Sequence, residues 1–231
     1  MNKKWITPIV LAALVWLPSH SAQAQTSTPK SKRTAIAAWT QEGLQPVSAQ
    51  GFDLVYAKPG TSLTGYHNIL LSPIPASFRS GWEKRSATGS QLPNRTKDIQ
   101  AIKDQLADAI RQEFTRQLTA GGYTLVDAAG EGVLTVNLAV VNLDIAAPNI
   151  PSAGRTKTYA TSAGEMSLVA DLRDSQTGEV LMRIYDHHTD RETFKPEKIT
   201  SVDNAAAVED AASTWAAALR QTLGQPATHN P

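Results

Sequence analysis

Five consecutive residues, Asp186-His187-His188-Thr189-Asp190, hold the densest set of groups able to do chemistry. In an extended strand alternate residues share a face, so Asp186, His188 and Asp190 present two carboxylates and an imidazole to one side. That is a donor set for a divalent metal ion, and a metal-dependent or hydrolytic enzyme is the activity it implies. No further ligand is visible nearby in the sequence. The same residues also suit the polar end of a strand whose inner half is Val180, Met182 and Ile184.

A second group lies between two long strands, in the stretch from Ala147 to Tyr159. It is far longer than a hairpin needs, and long ordered loops often carry function. Arg155, Lys157 and Tyr159 offer cationic and aromatic contacts to an anionic ligand or a partner. Other chemistries lack their residues. No G-x-S-x-G elbow occurs, and the Ser27 to Lys30 S-x-x-K string falls outside the expected fold. Neither phosphate-cradling glycine motif is present. Asp98, Asp104, Asp108 and Glu113 fall on the polar side of a helix, so no paired acid and base is expected from them. No catalytic residue and no cofactor is assigned.

The elements that must position these groups are legible as periodic patterns. Ile99, Ile102, Leu106, Ile110, Phe114 and Leu118 recur at spacings of three and four and predict a long amphipathic helix stopped by Gly121-Gly122. A second helix is expected from about Asp203 to Leu223, with Val208, Ala211, Ala212, Trp215, Leu219 and Leu223 on one stripe. Ile69, Leu71 and Ile74 form a strand that Pro73 and Pro75 confine to an edge or end early. Tyr123 to Val126 is short and Gly132 to Ala146 long, with a change of phase near Val140 that a β-bulge explains. Met166 to Arg173 and Val180 to Ile184 predict an antiparallel hairpin. The expected fold is α+β: a single domain with a mixed or mainly antiparallel sheet of about five strands. Two long amphipathic helices lie on one face, in the order β-α-β-β-β-β-α.

The N-terminus reads as a secretory signal peptide. Lys3 and Lys4 precede an apolar run from Trp5 to Leu17, and Ala22-Gln23-Ala24 supplies the small-residue cleavage pattern. The run is too short to span a bilayer, so a chain beginning at Gln25 is expected to be released. Residues 25–50 read as a flexible leader with a short helix possible from Thr34 to Glu42. Residues 51–224 read as the α+β domain and 225–231 as a disordered tail. With no cysteine, disulfides, thiolate catalysis, Cys-based metal sites and a lipid anchor on cysteine are all excluded. The chain has 22 basic and 21 acidic residues, and removing Lys3 and Lys4 leaves 20 against 21. Near-neutrality gives no support to nucleic-acid binding or to an anionic-membrane role.

Several blocks taken together resemble a known family. They are Leu54-Val55-Tyr56-Ala57-Lys58-Pro59-Gly60, Tyr66, Pro148-x-x-Pro151-Ser152-Ala153-Gly154-Arg155-x-x-x-Tyr159, Ser162-Ala163-Gly164-Glu165-Met166 and Asp174-Ser175-x-Thr177-Gly178. The pattern is similar to a bacterial envelope family of exported proteins and lipoproteins characterised by a domain of unknown function (DUF3313-like). The resemblance implies a compartment and a domain but no reaction. A soluble periplasmic accessory or binding protein, non-catalytic, with another envelope protein or a small ligand as partner, is the expectation, and secretion to the exterior its alternative.

Overall fold

The computed structural model describes residues 32–48, 51–82, 95–145, 158–160, 164–190, 197–199 and 201–224. The expected signal peptide and C-terminal tail, and the candidates Arg155 and Lys157, lie outside them.

The longest strands build the centre. β6 (Val133–Ile145), β8 (Gly164–Asp174) and β9 (Val180–Thr189) pair antiparallel in sequence order, so the hairpin expected from Met166 to Ile184 forms. Its turn is set by Asp174, whose Oδ1 accepts from the Gln176 and Thr177 amides at 3.1 and 2.8 Å and from the Thr177 hydroxyl at 2.9 Å. Gly178 follows at φ 72°, a left-handed conformation that glycine adopts without steric cost.

Around this core the sheet is larger than expected: eight strands in the order β1-β2-β9-β8-β6-β3-β5, with β4 also paired to β6. β1 (Gln45–Pro46), β4 (Ala76–Phe78) and β5 (Thr124–Leu125) have two or three residues, too few to display an alternation. β2 (Leu54–Ala57) is an inner strand between β1 and β9. The proline-bearing segment resolves into β3 (Asn68–Leu71) and β4, which run parallel to successive stretches of β6 on either side of Pro73 and Pro75. The sheet is mixed. β7 (Thr158–Ala160) and β10 (Glu197–Ile199) form a separate antiparallel pair.

The phase change in β6 is a bulge. Val140 faces one side of the sheet and Val141 the other, Asn142 takes φ 55°, and Leu143 returns to the first side. Asn is among the few non-glycine residues that tolerate this conformation. Opposite the bulge, a Cβ on Gly164 would run into the Asp144 carbonyl oxygen, so this pairing needs glycine.

Both long helices form, α2 over Arg95–Ala120 and α3 over Ser201–Leu223. Their apolar stripes, including Leu106, Phe114, Leu118, Trp215 and Leu219, join one face of the sheet in the main core. The opposite face is also covered. α1 (Lys32–Gln41) seats Ala35 and Trp39 against Tyr56, Val141, Val169 and Tyr185, with Trp39 3 % exposed and edge-on to Tyr56 at 5.6 Å. The folded unit therefore starts well before the boundary expected near Gly51, and residues 32–47 of the expected leader are part of it. A lone tryptophan in a polar stretch carries too little periodicity to reveal this packing. A polar chain reinforces it: Asp171, 2 % exposed, pairs with Arg173 and Arg183 at 3.0 Å each, and Arg183 reaches Glu42 at 2.8 Å. Among the described residues no helix is long and apolar enough to cross a membrane.

Candidate functional site: a cleft between the two long helices

α2 and α3 run side by side in the same direction. At their C-terminal ends they touch closely enough that a Cβ on Gly121 would meet the Arg220 side chain. Midway, Ser213 of α3 donates a hydrogen bond to Glu113 of α2, whose carboxyl is held low chiefly by hydrogen bonding from Arg116. Toward the N-terminal ends the interhelical space opens into a cleft of about 130 Å³. Ile102, Leu106 and Ala109 of α2 and Ala205 and Val208 of α3 line its walls, and Leu143 and Ile145 at the end of β6 line it from the sheet. Gln105, Asn204 and Glu209 are its polar residues.

A small hollow of about 20 Å³ adjoins it, sharing Leu143, Ile145, Asn204 and Val208 and adding Gly164, Glu165, Met166, His188 and Asp190. The two together form a largely apolar concavity with a few convergent polar groups. Sequence periodicity revealed that the Ile102 and Val208 stripes face inward. It could not show that their N-terminal ends diverge, because divergence depends on how two distant helices seat on the sheet.

Asp186 and His188 point toward α3 and Asp190 lies beside His188 at the smaller cavity, but the three have separate tasks. Asp186 accepts from the Trp215 indole N–H at 2.7 Å through Oδ2 and from the Asp53 amide at 2.9 Å through Oδ1. Burial raises its pKa above the ordinary aspartate value, against the pull of those two hydrogen bonds. His188 lies edge-on to Trp215 at 6.1 Å, with Nε2 3.9 Å from Asp210, and it lines the smaller cavity together with Asp190. Among the described residues no three His, Cys, Asp or Glu side chains gather as a metal site would require. Tyr159 lies in β7, where it pairs with Lys198 of β10.

One constellation escaped the sequence reading. On the sheet face opposite the long helices, Ser167 Oγ lies 3.2 Å from His187 Nδ1, and His187 Nε2 lies 3.6 Å from Glu165 Oε2. The residue types match a serine–histidine–acid relay. Ser167 is only 1 % exposed and also contacts the Tyr185 hydroxyl at 3.3 Å, so its oxygen is shielded from any substrate. Glu165 is further engaged by Arg79, which also pairs with Asp144 at 3.5 Å. These groups bind the strands to one another. Only their cross-strand register brings them together, and sequence spacing does not display it.

The blocks that carried the family resemblance have structural tasks as well. Tyr66 donates to Asp174 Oδ2 at 3.0 Å, and the Ser175 hydroxyl bridges the Gly130 amide and carbonyl. Lys58 forms an ion pair with Glu179 beside the same turn.

A family model described as a protein of unknown function, DUF3313, matches residues 34–219. No curated protein matches the chain. Among solved structures, the PelC dodecamer from Paraburkholderia phytofirmans is 13 % identical, covering 69 % of this chain and 96 % of that one with a TM-score of 0.34. Protein XCC0632 from Xanthomonas campestris is 15 % identical over 72 % of this chain and 89 % of its own, with a TM-score of 0.33. A neuraminyllactose-binding hemagglutinin homologue from Helicobacter pylori is 9 % identical over 69 % and 83 %, also at 0.33. Likenesses this distant carry nothing about function.

Proposed function

The chain belongs to the DUF3313 family, a family of unknown function, and from that premise we propose that it is an exported, non-catalytic binding or accessory protein of the bacterial envelope. The observation that carries the reading is the apolar cleft between the N-terminal halves of α2 and α3. Open apolar surface of this size costs free energy in water, and an occupant that covers it offsets that cost. Export is supported by the basic, apolar and Ala22-Gln23-Ala24 sequence at the N-terminus, with release after Ala24 into the periplasm. Ser167 and Asp186, the groups best suited to chemistry by type, are engaged in holding the fold, which agrees with binding rather than turnover.

Native mass spectrometry of the protein isolated from its own periplasm tests the reading. A small-molecule or peptide adduct is expected on the wild-type chain and absent from Ala109→Phe, which fills the cleft. Identical spectra for the two folded proteins would rule it out.

A further inference from the structure

The cleft also carries information about the charge of its occupant, and this inference rests on the binding reading above. Among the described residues that line the two joined cavities, Asp190 and Glu209 are the acids whose side chains lie on the helix side of the sheet, and neither lysine nor arginine is present. α3 strengthens the asymmetry. Asp203, Glu209 and Asp210 all lie in its N-terminal half, with Glu209 lining the cleft, whereas its one basic residue, Arg220, stands in the last turn. Across the opening, Gln105 is the polar residue that α2 contributes to the cleft. Lys103 does not line it and sits instead over the Phe78 ring, 5.7 Å from the centroid. Glu209 is the exposed acid that lines the larger cavity.

An apolar wall beside an acidic residue selects for two properties at once. Burying an aliphatic group gains from removal of apolar surface from water, and the acidic residue attracts a cation and repels an anion. We propose that the cleft binds a cationic amphiphile, an aliphatic chain or ring bearing a single ammonium group. The aliphatic part lies against Ile102, Leu106, Ala109, Leu143 and Val208, and the ammonium lies at Glu209. Fatty acids and anionic lipid headgroups are disfavoured by the same charge.

The test titrates the purified chain starting at Gln25 with dodecyltrimethylammonium, dodecyl maltoside and dodecyl sulfate, each below its micelle concentration, by isothermal titration calorimetry. The ammonium compound is expected to bind once per chain and about tenfold more tightly than the sulfate, with a preference that shrinks as salt is raised. Glu209→Lys, an exposed change, should weaken it by about fivefold, the scale of one surface charge pair reversed. Ala109→Phe should abolish it. Binding of the sulfate or maltoside as tight as that of the ammonium compound, still blocked by Ala109→Phe, overturns the charge assignment and leaves the cleft as a binding site. Ammonium binding indifferent to both substitutions, or no binding of any of the three, overturns the ligand assignment. In the first of these cases the chain is also shown not to use the cleft, and the binding reading falls with it.

Discussion

The Trp215 indole donates to the Asp186 carboxylate at 2.7 Å, joining the middle of α3 to the outer part of β9 on the helix side of the sheet. Trp215 is fully buried and Asp186 half-buried. The bond therefore satisfies a carboxylate that burial would otherwise leave short of donors. Trp215→Phe keeps most of the packing and removes the donor, and a hydrogen bond to a charged group is worth about 1.5–3 kcal/mol. Urea unfolding should show a loss of that size. A loss well under 1 kcal/mol would mean that water replaces the indole freely.

Asp174 and Asp186 should respond to pH with opposite signs. Hydrogen bonds from the Thr177 amide, the Thr177 hydroxyl and Tyr66 hold the Asp174 carboxyl below the usual aspartate value. Its contribution to stability is present above the unfolded value and is lost as pH falls through the folded one. Burial raises Asp186, so its contribution is present below the unfolded value and fades as pH rises through the folded one. Urea midpoints followed from about pH 2 to pH 7 should show a flatter acid limb for Asp174→Asn. Asp186→Asn should instead remove a decline on the rising side. The slopes, not the absolute stabilities, are the readout.

Trp39 is the anchor of α1. Truncating a buried aromatic typically costs about 3–5 kcal/mol, and Trp39→Ala should fall in that range and raise amide exchange across Lys32–Gln41. The same variant separates two views of residues 32–47. A change within about 0.5 kcal/mol would return them to the role of a leader that folds independently of the sheet.

The Asp171 network makes a parallel case on the same face. Asp171→Ala strips a common partner from Arg173 and Arg183, and breaking a buried pair from one side costs about 3–5 kcal/mol. Asp171→Asn retains an acceptor and should recover part of that loss in the same denaturation experiment.

The elements with long repeats were legible in the sequence. The spacing of Ile99 through Leu118 and the alternation of Met166 through Leu172 each impose a buried face, and the run from Leu134 to Ile145 even discloses its bulge. What stayed hidden were short or solitary features. Gln45–Pro46 and Thr124–Leu125 have no room for a pattern, and Trp39 packs as a single side chain. The candidate site was hidden for another reason. Ile102 and Val208 belong to stripes that read as ordinary core, and only the seating of α2 and α3 on β6 leaves their N-terminal ends apart. Alternation groups Asp186 with His188 and Asp190, yet the partners that define Asp186, Trp215 and Asp53, are 29 and 133 residues away.

Occupancy of the cleft in the living cell tests the binding reading most directly. A photo-crosslinking amino acid at Ala109, on the cleft wall, is compared with one at Ala120, exposed three turns further along α2. A discrete adduct at position 109 and background labelling at position 120 is the expected result. Equal labelling at the two positions, or none at 109 while the protein is folded and exported, contradicts it.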